Sequence, residues 1–536
     1  MLINRLAGIY FGLGLLLITS LLLPTFLHFN IDSFSLLYHS QFYQKAFIFS
    51  LKNALISLAI SLLLGSFIGI ILSKFSAKIS RFIYIIGSLG MVLPTIIVIF
   101  GWQRLFHYRS ELTMLLHDYF AISDNFFYGS GGIILIYVYY NLPLVIITIS
   151  IRLEQIPSNY FRLASQLGFD KKDYFIYLYW PVIKKSLANI AFLVFLVCFQ
   201  DFSITNILGG RPSQTSLPVF IYQALIYNNE LNLAAVATGL QILPSLGYLF
   251  FLSRQKYRKK PFTASEVKQA YLPVYHHPLF YKILEILVLI LLVGFMLLPL
   301  WNSALNTLNI IQQGRFISLA KELISYPGFL TSIILSTKIA ISSGILACLC
   351  AYFHIKISLN RPLINIFPWL LLILPPLSLA LGCFFILYKF ENLAVLQNWQ
   401  ILASLNCLIY YPILVYFWYE PVVGINRQYD KLVKTLGLNL WQKIIYIEWP
   451  ALGKIFLLGF SIVATLALGD LTIILFFGSP FETLTIIHQN LTSHYRFDLT
   501  IILQIVFFML IGLFFLPVLM WQLFNFIIIR SGVRSS

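Results

Sequence analysis

Residues 162–168 read Arg-Leu-Ala-Ser-Gln-Leu-Gly and are followed, after nine further residues, by Leu-Tyr-Trp-Pro at 178–181. The same layout returns as Lys-Leu-Val-Lys-Thr-Leu-Gly at 431–437 and Ile-Glu-Trp-Pro at 447–450. In both copies the glycine precedes the proline by 13 residues, and the copies lie 269 positions apart in a chain of 536 residues. A polar stretch that occurs twice in a strongly apolar chain predicts a duplicated module.

The composition of the chain indicates a membrane protein. Hydrophobic residues make up 59% and charged residues 10% of the sequence, whereas soluble domains carry about 25% charged residues. The apolar runs have the length of about 20 residues that a helix needs to cross a membrane, and the short alternating segments of a membrane β-barrel are absent. The predicted fold class is therefore an all-α polytopic membrane protein.

Twelve apolar runs are predicted to span the membrane. They cover residues 6–27, 47–73, 82–104, 130–151, 187–208, 232–253, 281–301, 330–355, 363–388, 400–419, 453–477 and 499–528. With the N-terminus in the cytoplasm, 26 of the 36 Lys and Arg residues fall on the cytoplasmic side. This positive-inside bias explains the +17 net charge better than a nucleic-acid footprint does. Both termini and both repeated stretches are therefore predicted to be cytoplasmic.

The spans divide into two halves of six. The first half is 1–253 with the repeated stretch 162–181, the second is 281–536 with the stretch 431–450, and the basic segment 254–280 is a cytoplasmic linker. Because six is an even number, both halves enter the membrane in the same sense, as parallel repeats do. Three further residue pairs keep the offset of 269 positions: Pro143 and Pro412, Asp201 and Asp470, and Gly209 and Gly478.

Each repeated stretch has the pattern of a short helix followed by a turn. Apolar residues at i, i+1 and i+4 fall on one helix face: Leu163, Ala164 and Leu167 in the first copy, and Leu432, Val433 and Leu436 in the second. Gly168 and Gly437 allow the positive φ that ends a helix. Pro181 and Pro450 suit the first turn of the helix that returns to the membrane. A simple re-entry turn at the interface explains one copy, but it does not explain two at matched spacing.

The glycine, the nine residues and the closing hydrophobic-Pro resemble the EAA loop of ABC-importer permeases. The usual Glu-Ala-Ala start is replaced here by Arg162-Leu163-Ala164 and Lys431-Leu432-Val433. The resemblance implies two parallel MetI-like six-helix repeats and loops that dock, as coupling helices, on two copies of a cytoplasmic ATPase. It also implies a periplasmic substrate-binding protein and a place in the bacterial inner membrane, with no cofactor.

Short sequence similarities outside the repeated stretches indicate a substrate. Asn141-Leu142-Pro143, Leu208-Gly209-Gly210 and Leu468-Gly469-Asp470 resemble the fused permeases of thiamine importers, as do the chain length and the two-half layout. The resemblance implies transport of thiamine or thiamine phosphates. Ferric-iron permeases are the next nearest family, so a ferric-iron importer is the alternative.

Asp201 and Asp470 are the candidate residues of the translocation pathway. An ionised Asp inside a span costs about 2.5–3.5 kcal/mol on insertion scales, which favours an interior, cavity-facing place. Two carboxylates related by the repeat would suit the thiamine cation. The alternative is that each Asp caps a break in its helix. The segments 209–215 and 478–483, which follow on the outer side, are candidates for the rim that receives the binding protein, or they are ordinary turns.

Enzymatic motifs are absent from the sequence. The chain has no phosphate-binding G-x-x-x-x-G-K-[ST] loop, no H-E-x-x-H and no nucleophile elbow, so neither catalytic nor metal-ligating residues are predicted. Any ATP that drives transport must therefore be bound by another chain. A secondary transporter of two parallel repeats is the contrasting class, although it leaves the two repeated stretches unexplained, and an integral membrane enzyme is a distant third.

Overall fold

The computed structural model describes residues 31–106, 126–209, 214–254, 279–359, 366–389, 398–477 and 482–530, with Met114, Asp118 and Ile364. These residues form helices joined by turns, and no β-strand occurs among them. Within them, eight helical segments are long and apolar enough to cross a membrane, and two bent helix pairs bring the candidate spans to ten. The prediction of an all-α polytopic membrane protein is confirmed.

The helices follow the same order in the two parts of the chain. The first part contains α1 Ile31–His39, α2 Gln41–Leu72, α3 Ala77–Val92, α4 Thr95–Leu105, α5 Ser130–Glu154, α6 Ser158–Gln166, α7 Lys171–Asp173, a π-helical segment Tyr174–Tyr179, α8 Trp180–Gln200, α9 Ser203–Leu208, α10 Leu217–Ile226 and α11 Leu231–Arg254. The second part contains α12 Leu279–Gln312, α13 Phe316–Ile324, α14 Phe329–Ser358, α15 Ile366–Ile373, α16 Pro376–Lys389, α17 Asn398–Thr435, α18 Leu440–Lys443, a π-helical segment Ile444–Glu448, α19 Trp449–Leu468, α20 Thr472–Phe477, α21 Leu484–Ser493 and α22 Phe497–Arg530. The π segment and the short helices that follow recur at matching places in both parts.

Two of the predicted spans are bent. The runs 82–104 and 363–388 were expected to be single spans, but α3 meets α4 at 99°, and α15 meets α16 at 96°. Proline explains the first bend, because Leu93 precedes Pro94 and is held in an extended conformation with ψ of 137°. Pro375 stands at the corresponding break between α15 and α16.

Ten of the twelve predicted spans overlap these ten candidates, although the bounds differ by up to 16 residues, as at the end of 400–419 against Trp399–Thr435. The predicted span 6–27 lies outside the described residues, as does most of the linker 254–280. The predicted span 232–253 corresponds to α11, a helix that is not among the ten candidates.

The described chain packs as two compact units. Unit A comprises the described residues of Phe34–Ala224 and Phe250–Leu305; unit B comprises those of Leu225–Leu249 and Asn306–Ser536, together with 31–33. Most of α11 therefore groups with the second half of the sequence, and most of α12 groups with the first. The predicted halves 1–253 and 281–536 describe the repeat in sequence and stay a prediction.

Close helix packing holds each unit together. In unit A, α2 lies against α5, and a Cβ on Gly65 would come within 2.6 Å of Val145 Cγ1. In unit B, α14 packs against α17 and α19, around the buried ring of Trp418. Gly459 of α19 lies against that ring, where a Cβ would come within 2.4 Å of Cζ2. Small residues at such contacts let membrane helices approach closely, because packing rather than the hydrophobic effect drives their association.

Candidate functional site

The first loop, Arg162–Pro181, begins in α6 and ends that helix with a Schellman motif. The N–H of Phe169 donates to the carbonyl oxygen of Ala164 at 3.1 Å, and the N–H of Gly168 donates to that of Ser165 at 3.2 Å. Gly168 has a φ of +71°, a conformation that a residue with a Cβ rarely adopts. The prediction that this glycine ends a short helix is confirmed.

The second loop, Lys431–Pro450, uses the same motif at the end of α17. The N–H of Leu438 donates to the carbonyl oxygen of Val433 at 3.1 Å, and the N–H of Gly437 donates to that of Lys434 at 3.4 Å. Gly437 has a φ of +62°. The helix here is the last part of a 38-residue helix, however, and not a separate short element.

A capping box starts the next helix in both loops, and the sequence analysis missed it. In the first loop the N–H of Asp173 donates to Asp170 Oδ1 at 2.8 Å, and the N–H of Asp170 donates to Asp173 Oδ2 at 3.2 Å. In the second, Gln442 and Asn439 exchange the equivalent bonds at 2.8 and 3.0 Å. The signal was a polar residue followed by another three residues later. The bond from the Asp173 N–H lowers the pKa of Asp170 below its usual 3.8.

Each closing proline follows a π-helical segment. Pro181 and Pro450 are the second residues of α8 and α19, which confirms their place in the first turn of an α-helix. The helical path nevertheless starts earlier, at Lys171 and Leu440, and runs through the segments Tyr174–Tyr179 and Ile444–Glu448. Proline has no N–H and its ring collides with the carbonyl four residues before it, so the wider π turn accommodates it.

The predicted apolar face of each helix is only partly available to a partner. Leu163 and Leu167 are 54% and 63% exposed, but Ala164 is only 3% exposed. The second loop repeats the exposed pair, with Leu432 at 48% and Leu436 at 61%. Val433, at the position of Ala164, is half-buried. The single face expected from i, i+1 and i+4 therefore splits into two exposed leucines and one residue turned toward the protein.

Aromatic contacts hold the first loop to itself. The rings of Phe161 and Tyr174 lie 6.4 Å apart and nearly parallel, and the Tyr174 hydroxyl donates to the Phe161 carbonyl oxygen at 3.4 Å. The ring of Tyr179 lies 6.2 Å from that of Phe161. Phe161 and Tyr174 are both buried, so the end of the π segment is attached to α6 by ring packing.

Charged contacts hold the second loop. Glu448, the residue two before Pro450, is only 1% exposed. Its carboxylate accepts hydrogen bonds from the hydroxyl of Tyr352 at 2.5 Å and from the ammonium of Lys356. Lys356 also donates to Asn426 Oδ1 at 2.8 Å. Sequence reasoning missed this cluster, although an acid and a base inside apolar helices were a signal that each needs a partner.

The two predicted pathway residues cap breaks between helices. Asp201 Oδ2 accepts the N–H groups of Ile204 at 3.0 Å and Thr205 at 3.3 Å, and the hydroxyl of Tyr137 at 3.3 Å. The carboxylate of Asp470 accepts the N–H groups of Thr472 and Ile473, each at 3.2 Å. The alternative interpretation, a helix cap, is thus present at both positions. A role in the pathway stays a prediction.

A serine from another helix holds the first residue of α10 and of α21, each the second helix after an Asp break. Ser50 Oγ accepts the N–H of Leu217 at 2.7 Å, and Ser336 Oγ accepts the N–H of Leu484 at 2.9 Å. Sequence reasoning did not single out these serines. Within the candidate rim segments 209–215 and 478–483, residues 210–213 and 478–481 lie outside the described residues.

Comparison with known proteins gives the class. Residues 61–257 match the family described as binding-protein-dependent transport system inner membrane component. The match covers the first loop and the spans on both sides of it. The resemblance to ABC-importer permeases is confirmed, and the chain is a multi-pass membrane protein similar to the membrane components of such transport systems.

Three individual relatives show how much of the chain is similar to a known permease. The chain is 28% identical over 469 residues to the thiamine transport system permease protein ThiP of Haemophilus influenzae, a similarity that covers 84% of each chain. It is 27% identical to the protein of the same name from Brucella suis, over 77% of this chain and 75% of that one. The ferric transport system permease protein FbpB of Actinobacillus pleuropneumoniae is 24% identical over 36% of this chain and 29% of its own.

Proposed function

We propose that this chain is the permease subunit of an ATP-binding-cassette importer that carries thiamine or thiamine phosphates across the inner membrane. The observation that carries the proposal is the pair of loops, which share a glycine turn, a capping box, a π turn and a proline. Each loop also exposes two leucines, and large exposed apolar side chains on a helix are typical of a surface that another protein covers. Similarity to thiamine permeases over 84% of both chains supports the substrate.

The proposed mechanism couples two faces of the membrane. Two copies of a cytoplasmic ATPase each dock on one loop, and a periplasmic binding protein delivers substrate near the segments 209–215 and 478–483. Both termini are cytoplasmic. ATP binding draws the ATPases and their loops together and opens the bundle outward, and hydrolysis resets it. The membrane helices thus exchange between two states whose populations are biased from both sides. The chain itself contributes the pathway, and its partners contribute the ATP chemistry.

Asp201 and Asp470 are proposed to line that pathway. Each carboxylate lies half-buried at a break between two helices, in α8–α9 and in α19–α20. Irregular backbone within a membrane helix is tolerated where it lines a cavity or is buried in protein, and a carboxylate there would attract the thiamine cation. If Asp201→Asn and Asp470→Asn together leave thiamine uptake unchanged at normal expression, the two residues are only caps.

The exposed leucines provide the main test. Leu167→Asp and Leu436→Asp place a charge on each apolar surface while leaving the stability of the chain within about 0.5 kcal/mol. We expect the double variant to lose the ATPase that co-purifies with the wild-type chain, and to lose uptake of labelled thiamine. Leu167→Met and Leu436→Met keep an apolar side chain. The variant that carries both should therefore still retain the ATPase and take up labelled thiamine. Retention of the ATPase by the Asp variant, or uptake in ATP-depleted vesicles, would contradict the proposal.

Ferric iron is the second candidate substrate. The similarity to FbpB, although it covers only 36% of the chain, favours it over other solutes. Competition separates the two: excess unlabelled thiamine should abolish uptake of labelled thiamine, whereas a ferric chelate should leave it unchanged. Uptake of labelled iron that thiamine does not reduce would favour the iron importer.

A further inference from the structure

Glu448 is a buried acid in the part of the second loop that leads back to the membrane. Its side chain is 1% exposed. A buried carboxylate is costly unless it is paired and hydrogen-bonded. Two donors from the last part of α14, the hydroxyl of Tyr352 and the ammonium of Lys356, meet this need directly.

Further groups extend the contact to α17. Lys356, which is 21% exposed, also donates to the amide oxygen of Asn426 at 2.8 Å. Lys443, the last residue of α18, lies 3.9 Å from the Glu448 carboxylate and 3.8 Å from that of Asp430. The cluster therefore joins three elements of unit B: the end of α14, the last turns of α17 and the π segment of the second loop.

The first loop has no acid or base at the matching positions. At an offset of 269 residues, Glu448 corresponds to Tyr179, Lys443 to Tyr174 and Asn426 to Pro157. Tyr174 and Tyr179 pack on Phe161, within the loop itself. At these matched positions, the acid and the base occur in the second loop and tyrosines occur in the first.

We propose that Glu448 and Lys356 are positioning residues that make the second loop move as one body with α14 and α17. On this inference, which rests on the proposed function, force from the ATPase on the second loop reaches the membrane helices through a rigid ion-paired junction. Separating the pair would take the closest cation away from a buried carboxylate, which is far more costly than separating an exposed pair. The junction therefore stays closed while the loop moves.

Four variants test the junction. Lys356→Met leaves the carboxylate with the more distant ammonium of Lys443, at 3.9 Å. Glu448→Gln leaves the partly exposed Lys356 ammonium bonded to Asn426. The two together remove both charges of the pair. Tyr352→Phe removes one donor and is the mildest change. We expect amide exchange in residues 444–448 to speed up about a hundredfold in Lys356→Met and about tenfold in Tyr352→Phe. The double variant should exchange more slowly than Lys356→Met, because it no longer buries a carboxylate that has lost its closest cation, and Lys443 keeps Asp430 at 3.8 Å.

A transport measurement distinguishes a positioning role of Glu448 and Lys356 from an effect on stability alone. In proteoliposomes with the ATPase bound, thiamine uptake per ATP hydrolysed should fall about tenfold in Lys356→Met and less in the double variant, a size typical of coupling between distant sites. Arg315→Met is the matched control, because it removes a cation of unit B whose pair with Asp498 is about half exposed. It should change neither amide exchange in 444–448 nor the uptake ratio.

The outcomes for this inference and for the proposed function are distinct. A wild-type chain that retains no ATPase overturns the proposed function. A wild-type chain that retains it, with Lys356→Met and Tyr352→Phe both within twofold of wild type in exchange and in uptake per ATP, overturns the junction alone. Equal damage from Lys356→Met and the double variant also overturns it, because the unpaired charge then has no effect of its own.

Discussion

The two loops share their turns and differ in how they are attached. In the first, α5 ends at Glu154, and α6 starts anew at Ser158 after Pro157, whose ψ of 138° is extended. In the second, α17 runs unbroken for 38 residues from the membrane into the loop. Aromatic rings hold the first loop, and an ion pair holds the second. A repeat can therefore conserve the surface offered to a partner while the mechanical link to the membrane diverges.

Pro157 stands at the break between α5 and α6. Its partner in the repeat, Asn426, donates from its side-chain amide to the Val422 carbonyl oxygen at 2.9 Å and accepts from Lys356. A proline cannot donate a backbone hydrogen bond, and the residue before it avoids the helical conformation. Proline at 157 therefore coincides with the break between α5 and α6, whereas α17 accommodates Pro412 and Pro421 within its length.

The largest effect is expected when the proline at the helix break before the first loop is introduced at the matching position before the second loop. Asn426→Pro should cost about 3 kcal/mol or more of unfolding free energy, because it interrupts the interior of a helix. Denaturant titration of the chain in mixed micelles measures this loss. Pro157→Asn should cost only about 0.4–1 kcal/mol, through the entropy of the unfolded chain.

A matched variant separates the effect of the interrupted helix backbone from the effect of the lost Asn426 side chain. Asn426→Ala removes the side-chain bonds to Val422 and Lys356 but keeps the helix, so it should be less damaging than Asn426→Pro. If the proline and alanine variants lose equal stability, the side chain and not helix continuity distinguishes the two loops.

The glycine turns should respond equally in both loops. Gly168→Val and Gly437→Val each force a β-branched residue to a positive φ, at a cost of about 1–2 kcal/mol or more. The expected result is faster amide exchange at Phe169 and Leu438, whose N–H groups close the two motifs. Gly→Asn at the same positions is the control, since Asn tolerates this conformation. A loss confined to one loop would contradict their equivalence.

The smallest difference between the two loops is expected at acidic pH, in the stability of their capping boxes. The pKa of Asp170 is lowered in the folded chain by the Asp173 N–H, so its contribution to stability is present above the usual pKa of 3.8 and is lost as pH falls through the lowered value. The box of Asn439 and Gln442 has no titrating group. As pH falls below 3.8, the start of α7 should open while the start of α18 stays closed.

Amide exchange measured from pH 3 to 6 and corrected for its intrinsic pH dependence checks this expectation. The matched control is Asp170→Asn together with Asp173→Gln, which gives the first loop the uncharged box of the second. The acid-dependent opening should disappear in that variant. Opening of both loops at the same pH would contradict the explanation.

Some properties of the candidate site could be predicted from single positions. Gly168 and Gly437 were recognised because a helix end at a positive φ favours glycine whatever surrounds it. The exposed leucines were found by helical spacing, but that spacing wrongly grouped Ala164 with Leu163 and Leu167. Helical periodicity is a weak guide here, because many surfaces of a membrane protein are apolar whether they face lipid or protein.

The sequence alone determined that the chain is a helical membrane protein, that it repeats with a fixed offset, and where its two glycine turns lie. These properties follow from hydropathy and from local backbone preferences, which neighbouring residues encode. Only the tertiary structure decided that Lys356 meets Glu448, 92 positions away, and that the second loop continues a single helix. Such contacts depend on which helix faces pack together, and apolar helices do not reveal this from their sequence.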